Sequence, residues 1–389
     1  MQIPNAPGES GLAASCNAPP KPPIDKVPLV SILIPAYNAE EWIADTIRSA
    51  VAQTWPHKEI IVVDDGSKDR TLAIAREFEE TGVIVVSQKN QGASAARNKA
   101  FSLSRGGYIQ WLDADDLLDP EKIARQMELV KHGVGKMTIL SSAWGYFMYR
   151  PRRAQFIPTA LWCDLSPVEW LLRKMGQNLY MQTACWLVSR ELTEAAGPWD
   201  TRLLTDDDGE YFCRVLLASD GVRFVQDAKV YYRAFQFNSL SHIERFPKRI
   251  EAQWLSMQLH MKYLRLLEDS PRVHRVCVEY MRCSLIYFYP ERPDIVAQAE
   301  KMAMEFERQL GVPTLSWKYS WVEKLFGWSP AKLVQRLSRV LRWSIEKRWD
   351  QVLYLVESRQ RAAVQHQPGG RSQINGSASQ LSVKEPDVF

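Results

Sequence analysis

The chain has 389 residues, of which 46% are hydrophobic and 24% are charged. This composition is typical of a globular protein and excludes a wholly disordered or fibrous chain. The formal net charge of +4 is too small on average to indicate a nucleic-acid partner.

Neither a membrane span nor a secretory signal is predicted. No window of the sequence approaches the roughly 18 apolar residues that a membrane-spanning helix needs. Residues 1–28 contain no apolar run of the kind that a signal peptide carries. We therefore expect a cytoplasmic location, and the length alone predicts about two to three domains.

Strands and helices alternate in the first part of the chain. Short β-branched runs predict strands at 30–34, 59–63, 83–86 and 108–112. Helical spacing of apolar residues predicts helices at 42–51, 71–80 and 93–104. We expect Asn38 and Glu41 to form a capping box for the first helix, and Asp69 to cap the second. Strands that alternate with helices of this length indicate βαβ units and a parallel sheet.

Composition and spacing divide the whole chain into four segments. Residues 1–28 are rich in proline and are predicted to be disordered. Residues 29–241 form the predicted α/β domain, and residues 242–363 are almost entirely helical in their spacing. A tail rich in Gly, Ser and Gln, 364–389, is also predicted to be disordered.

The polar residues that directly follow the predicted strands are the first candidates for function. Ligands bind beyond the carboxyl ends of strands in an open parallel sheet. The candidates are Pro35-Ala36-Tyr37-Asn38, Asp64-Asp65-Gly66-Ser67 and Asp113-Ala114-Asp115-Asp116. Neither G-x-G-x-x-G nor G-x-x-x-x-G-K-[ST] occurs, which argues against a dehydrogenase or a P-loop enzyme.

The Asp-x-Asp pattern has two interpretations. Asp113 and Asp115 lie two residues apart, so in extended backbone their side chains leave on the same face. Two carboxylates without a nearby His or Cys suit Mg²⁺ or Mn²⁺ better than Zn²⁺. The alternative is local, since Asp116 or Asp119 would cap a helix at 121–130.

Four segments in order carry a family resemblance: SILIPAYNAE, IIVVDDGSKD, NQGASAARNKA and YIQWLDADD. They resemble the P-x-Y/F-N, V-D-D-G-S-x-D, N-x-G-x-x-x-A-R-N and Y-I-x-x-L-D-x-D-D motifs of the family 2 glycosyltransferases of GT-A fold. The resemblance covers roughly residues 28–241. It implies a Rossmann-like α/β fold, with a mixed, mostly parallel sheet flanked by helices, to which this chain adds a C-terminal helical extension.

The resemblance implies a role for each matching residue at the strand ends. Pro35 and Tyr37 match the nucleotide-binding segment, in which the aromatic ring stacks on the base; the alternative for Tyr37 is a core aromatic. Asp65 matches the carboxylate that accepts a hydrogen bond from the base. Asp113 matches the aspartate near the ribose or a metal-bound water. Asp115 matches the aspartate that coordinates the Mg²⁺ or Mn²⁺ bridging the diphosphate.

Three further residues match basic or hydroxyl positions of the family. Arg97, on the predicted helix after Gly92, would either bind the diphosphate of the nucleotide or pair with a strand-end aspartate. Arg233 and Ser239 match parts of a Y-R-x-H…G-S-x-S pattern that closes over the diphosphate. The histidine of that pattern is missing after Arg233, and His242 is equally well explained as a surface residue.

A second acidic segment, Asp206-Asp207-Asp208, resembles the acidic start of a helix in the family. Asp208 takes the position of the catalytic base, which deprotonates the acceptor hydroxyl. Asp207 is the second candidate for the base, and the alternative is that the three aspartates only cap the helix. Gly209 departs from the family, which has a larger residue there.

Residues 317–361 contain ten Lys and Arg, four Asp and Glu, and five Trp. Apolar residues recur at helical spacing between Leu333 and Leu355. A basic, tryptophan-bearing amphipathic helix of this kind either lies on an anionic membrane surface or docks on the catalytic core or a second subunit. Peripheral membrane contact through 317–361 is therefore one prediction.

As a whole, the resemblance implies an inverting, hexosyltransferase-type glycosyltransferase (EC 2.4). It would transfer a sugar from a nucleotide-diphosphate sugar, most often a UDP-sugar, to a carbohydrate or lipid-linked acceptor in polysaccharide or glycoconjugate biosynthesis. One alternative is a nucleotidyltransferase of similar fold, but residues 35–38 lack the Gly-rich basic loop of those enzymes. The other is a non-catalytic nucleotide-sugar-binding scaffold, which would be free to lose Asp115 or Asp208.

Overall fold

The computed structural model of the chain describes residues 27–234, 247–311, 313 and 315–365. Apart from their inner ends, the predicted disordered segments 1–28 and 364–389 lie outside the described residues. Ser239 and His242 lie outside them as well.

Strands and helices are numbered separately along the chain. The strands are β1 (Val30–Ala36), β2 (Lys58–Asp64), β3 (Ile84–Ser87), β4 (Tyr108–Trp111), β5 (Leu117–Leu118), β6 (Thr138–Phe147), β7 (Gln155–Phe156), β8 (Val188–Ser189) and β9 (Gly221–Arg233). The helices are α1 (Ile43–Val51), α2 (Thr71–Arg76), α3 (Ala93–Leu103), α4 (Lys122–Lys131), α5 (Pro167–Gly176), α6 (Arg190–Ala196), α7 (Asp207–Ala218), α8 (Pro247–Leu267), α9 (Pro271–Ser284), α10 (Pro293–Glu305), α11 (Ser320–Phe326) and α12 (Trp328–Gln365).

The main sheet has the strand order β3-β2-β1-β4-β8. Its first four strands are parallel, and β8 joins β4 in the antiparallel direction. Every residue of β1 is buried, as expected for the central strand of a parallel sheet. The predicted alternation of strands and helices is confirmed. The one large difference is α2, which ends at Arg76 and is followed by a short 3₁₀ turn.

A second sheet, with the order β5-β9-β6-β7, adjoins the first. Its long strands β6 and β9 run parallel, and β9 pairs with the short strand β5 through Leu117 and Tyr231. This pairing brings the end of β9 to the Asp-x-Asp segment, where Arg233 N donates to Asp116 Oδ1 at 2.9 Å. Residues more than a hundred positions apart in the chain thus meet at one edge.

The predicted capping box at the start of α1 is wrong. Asn38 has a φ of 48°, and its side-chain oxygen accepts a hydrogen bond from Lys68 N at 2.8 Å. α1 has no side-chain cap. The reason is tertiary, because the segment before α1 is bound to the turn after β2, where Asp69 accepts from Glu40 N at 3.1 Å. Asp69 also accepts from Thr71 N at 3.0 Å, but the N-cap residue of α2 is Arg70 instead of the predicted Asp69.

The C-terminal helices do not form a core of their own. α8 packs along α7, and the buried side chains of both helices belong to one apolar cluster with β1. α12 is tied to the segment after β6, where Arg150 pairs with Asp350 at 2.7 Å and with Glu357 at 2.8 Å. Among the described helices, none combines the length and hydrophobicity that crossing a bilayer requires.

Candidate active site

Tyr37 and Asp65 lie side by side at the carboxyl edge of the main sheet. The parallel register aligns Ala36 with Asp64, and Asp65 N donates to Ala36 O at 2.8 Å. Pro35 is buried within β1, whereas Tyr37 is 46% exposed. Tyr37 is therefore not a core aromatic, and its ring is available to a ligand at this edge.

The Asp65 carboxylate organises the loop that leads into α3. It accepts hydrogen bonds from Gln88 Nε2 at 2.7 Å, from Gln91 N at 2.9 Å and from Gly92 N at 2.8 Å. A carboxylate offers about four acceptor positions, so one remains for a ligand. Gly66 has a φ of 71°, and a Cβ there would lie 2.8 Å from Asn90 N. The glycine therefore permits the close approach of the two loops.

Arg97 joins the two acidic segments. Its guanidinium is buried and donates through Nη2 to Asp113 Oδ1 at 2.8 Å and through Nη1 to Asp207 Oδ2 at 2.7 Å. The same group lies over the ring of Trp199, 4.3 Å from its centroid. The planar fork of arginine can hold two carboxylates in fixed directions. Of the two predicted interpretations, the structure shows the pairing with a strand-end aspartate.

Asp207 and Asp208 differ in what binds them. Asp207 Oδ2 accepts from Ser94 Oγ at 3.0 Å in addition to Arg97. Asp208 is mostly buried and, among the described residues, accepts only a long hydrogen bond, 3.4 Å, from Thr183 Oγ1. Burial raises the pKa of Asp208 to about 7, and the neighbouring negative charges act in the same direction. A carboxylate that titrates near neutral pH suits general base catalysis, so Asp208 is the better candidate.

Asp206 contacts α8. It has a φ of 53°, and its Oδ2 accepts from Ser256 Oγ at 2.8 Å. A Cβ on Gly209 would collide with Asp206 Oδ1 and would lie 3.2 Å from His260 Cε1. The departure from the family at Gly209 is therefore what allows Asp206 and α8 to pack against the start of α7.

A buried polar chain continues from Asp206 into the C-terminal helices. His260 Nε2 lies 3.3 Å from Ser256 Oγ, and His260 Nδ1 lies 2.9 Å from Tyr280 Oη. Burial lowers the pKa of His260 to about 4, so the ring is neutral and has one donor and one acceptor. All donors are used if Tyr280 donates to His260, His260 to Ser256, and Ser256 to Asp206. No local pattern in the sequence marks these residues, and none of them is among the predicted site residues.

The Asp115 carboxylate has no hydrogen-bond donor from another residue within the part of the chain that the structure describes, although Arg233 Nε donates to the backbone oxygen of Asp115 at 2.8 Å. Burial raises the pKa of Asp115 to about 6, and the charge of Asp113 adds to this effect. Of the two residues predicted as alternatives to cap α4, Asp119 lies just before it and its Oδ1 accepts from Glu121 N at 3.2 Å. The N-cap residue of α4 is Glu121, and the helix has no side-chain cap.

These residues fit a divalent cation that is shared with a ligand. Within the described part of the chain, no group of three or more His, Cys, Asp or Glu side chains could hold a metal by itself. Mg²⁺ is commonly bound by one or two carboxylates together with waters and substrate phosphates. The Asp115 carboxylate, whose charge is disfavoured by burial and by the charge of Asp113, is the group that such an ion would stabilise.

A cavity of about 40 Å³ adjoins Asp208. Its walls include Trp170, Lys174, Trp186, Asp206 and Phe212. A space of this size admits a hydroxyl or a water molecule. The cavity therefore provides room for a small polar group next to the candidate base.

The comparisons with known proteins agree with the motifs. Residues 31–195 match the family model described as "Glycosyl transferase family 2". The chain is 41% identical over 106 residues to the putative teichuronic acid biosynthesis glycosyltransferase TuaG of Bacillus subtilis. The matched segment covers 26% of this chain and 42% of that protein. It is 45% identical over 102 residues to the chondroitin synthase of Escherichia coli. That matched segment covers 26% of this chain and 15% of the synthase. Less than half of either relative is thus matched.

Among solved structures, S. aureus TarS 1-349 is similar with a TM-score of 0.54. The identity is 16%, and the match covers 71% of this chain and 80% of that chain. TarS 1-349 has also been solved in complex with UDP and with UDP-GlcNAc. At this identity the likeness shows the fold, which is the predicted mixed α/β fold with helices after the second sheet.

Proposed function

We propose that the protein transfers a sugar from a nucleotide-diphosphate sugar to an acceptor hydroxyl with inversion, which the match of residues 31–195 to the family 2 glycosyltransferase model supports. One observation carries the proposal. Arg97 bridges Asp113 of the Asp-x-Asp segment and Asp207 beside the candidate base, which holds the donor side and the acceptor side of one site together.

On the donor side, Tyr37 stacks on the base of the nucleotide, beside Pro35, and Asp65 accepts a hydrogen bond from the base. Asp113 faces the ribose, and Arg97 contributes by holding Asp113 in place. The donor is a UDP-sugar in this proposal, since S. aureus TarS, which shares the fold, has been solved with UDP-GlcNAc. The half-exposed ring of Tyr37 supports its role, because stacking requires an accessible ring face.

Asp115 would hold Mg²⁺ or Mn²⁺ against the diphosphate of the donor. The ion supplies neutralisation of the charge that develops on the departing diphosphate. Arg233 positions this segment, because its guanidinium donates to the backbone oxygen of Asp115. Ser239 is a proposed diphosphate contact because it matches a serine of the G-S-x-S part of the family pattern.

On the acceptor side, Asp208 takes the proton of the attacking hydroxyl. The acceptor oxygen forms a bond to the anomeric carbon as the bond from that carbon to the diphosphate oxygen breaks, and the nucleoside diphosphate leaves. A single displacement of this kind inverts the anomeric configuration. The acceptor is a carbohydrate or a lipid-linked glycan in polysaccharide or glycoconjugate biosynthesis, and the proposed location is cytoplasmic.

The first experiment is a calorimetric titration of nucleoside diphosphates in the presence and absence of Mn²⁺. We expect one nucleotide to bind in a Mn²⁺-dependent manner. Asp115→Asn should weaken that binding by about tenfold or more, since a hydrogen bond or ion contact to a charged group is worth ~1.5–3 kcal/mol. Asp119→Asn is the matched control, because the Asp119 side chain accepts a hydrogen bond from Glu121 N just before α4 and has no proposed contact with the nucleotide.

The outcomes separate the proposal from its alternatives. If no nucleotide binds the folded wild type, the enzyme assignment is wrong. If a nucleoside triphosphate and a sugar phosphate react with release of pyrophosphate, the protein is a nucleotidyltransferase. If a nucleotide sugar binds but no sugar is transferred to carbohydrate or lipid-linked acceptors, the scaffold alternative is favoured.

A further inference from the structure

Exposed large apolar side chains are concentrated at the C-terminal end of the described chain. Of the 23 such residues in the described structure, 14 lie between Trp317 and Val356. The other nine are scattered singly from Val27 to Met304, which is normal for a protein surface. A contiguous apolar surface marks an interaction site.

One side of α12 is bound to the rest of the protein. Arg150 pairs with Asp350 and Glu357, and Tyr149 N donates to Asp350 Oδ2 at 2.9 Å. The ring of Tyr149 also lies 5.9 Å from that of Tyr354. These contacts fix which side of the helix points inward.

The opposite side of α12 is apolar and exposed. Its residues recur at intervals of three or four, which places them on one helical face. We call them the apolar face: Leu333, Leu337, Leu341, Ile345, Trp349, Val352 and Leu355. Each is between 45% and 66% exposed, so the predicted alternative in which this stripe docks on the catalytic core is not what the structure shows.

The elements just before α12 extend this surface. Trp317 precedes α11, and Trp321, Leu325 and Phe326 lie on α11, which packs against α12. All four side chains are strongly exposed. Tryptophan is enriched where a protein surface meets the boundary between lipid and water, so these residues suit the same environment as the apolar face.

The positive charge of residues 317–361 favours an anionic partner. Residues 317–361 hold ten Lys and Arg against four Asp and Glu. Two of the four acidic residues, Asp350 and Glu357, are turned inward to Arg150. Lys332 is turned inward as well, to Glu291, so the outward surface keeps an excess of basic residues. Two copies of such a surface would repel each other, whereas an anionic surface would attract it.

We propose that the apolar face and α11 dock on the surface of an anionic lipid bilayer. The helices lie in the plane of the interface with their apolar side chains among the upper acyl chains. Lys and Arg residues at the edges contact the anionic headgroups. This docking surface does not depend on the proposed glycosyl transfer and is tested without measuring activity.

Docking at this surface would hold the candidate active site near the membrane. Tyr149, which contacts α12, also contacts Trp42, with ring centroids 5.8 Å apart. The guanidinium of Arg233 lies over Trp42, 4.2 Å from its centroid. The docking helix is therefore two side chains away from the residue that positions Asp115, and a lipid-linked acceptor would reach the site from the bilayer surface.

The test is co-sedimentation of the full-length chain with phosphatidylcholine vesicles that contain or lack phosphatidylglycerol, at low and high salt. We expect binding to the anionic vesicles, weakened by salt. Leu341→Glu should reduce it by about tenfold or more, since burying one leucine is worth ~1.5–3 kcal/mol. Leu266→Glu is the matched control, because Leu266 and Leu341 are both 63% exposed. It should bind like the wild type.

Any one of the following results would overturn the proposal. The first is that the folded wild type does not bind the anionic vesicles. The second is that the two leucine variants bind them equally well, or that neutral vesicles are bound as tightly as anionic ones. The third is a dimer in light scattering that Leu341→Glu dissociates, which would assign the apolar face to a second copy of the chain.

Discussion

Replacing Asp208 by Asn should abolish turnover and, at the same time, stabilise the fold. The carboxylate is mostly buried beside two other aspartates, and its pKa is raised from 3.8 to about 7. An ionised Asp208 therefore costs the folded state free energy that an amide does not. Sites adapted for catalysis commonly carry a cost of this kind.

The magnitude and the sign follow from linkage. In the unfolded chain an aspartate titrates near ~3.9. Between about pH 4 and pH 7 the folded state keeps the proton that the unfolded chain has lost, so the wild type loses stability as the pH rises, by about 1.4 kcal/mol per pH unit. Above about pH 7 both states are ionised and the loss is complete. The advantage of the Asp208→Asn variant should thus grow by about 2 kcal/mol between about pH 5.5 and pH 8.

The assay is urea unfolding of the wild type and the variant at both pH values, together with turnover and nucleotide binding. Comparison at two pH values separates the effect of charge from any effect of packing. Asp220→Asn is the control, because Asp220 is exposed at the end of α7. Its effect on the free energy of unfolding should not change with pH in the same way.

Two results would refute the reasoning. If the difference in unfolding free energy between the variant and the wild type is the same at both pH values, Asp208 does not carry a raised pKa. If the variant keeps most of its turnover, Asp208 is not the base. The second result alone would direct attention to Asp207.

Two further substitutions test how the site is held. Arg97→Lys can keep only one of the two ion pairs, so we expect unfolding to become about 2 kcal/mol easier and turnover to fall about a hundredfold through misplacement of the site. Arg214→Lys, which loosens a pair with Glu210 on α7, should lower stability without a comparable loss of turnover. Gly209→Ala places a Cβ against Asp206 Oδ1 and should cost about 1–3 kcal/mol, with lower turnover. Unchanged stability in Gly209→Ala would show that the start of α7 can shift freely.

The part of the site that the sequence predicts well is built from local features. The strands before Tyr37, Asp65 and Asp113 are short apolar runs, and the polar residue that ends each run is visible in the sequence. A parallel sheet brings such ends to one edge whatever the details of packing. The position of this edge and its acidic residues can therefore be predicted from the sequence.

The errors and open questions arose where a side chain binds something distant in the chain. Asn38 has the sequence context of a helix cap, but its oxygen binds Lys68 N across the sheet edge. The sequence leaves two roles open for Arg97, binding of the diphosphate or pairing with an aspartate. The structure shows that it pairs with Asp113 and Asp207. Local propensity gives no information on which of several competing acceptors a buried donor will reach.

The sequence by itself determined the α/β class, the order of the strands along the chain and the motifs that resemble a known family, because periodicity and motif spacing are local properties. Only the tertiary structure decided which two aspartates Arg97 binds, why Gly209 is small and which side of α12 faces outward. Each of these depends on contacts between residues far apart in the chain, as between Asp206 and Ser256. Such contacts are set by the packing of one element on another, and a one-dimensional pattern does not encode their geometry.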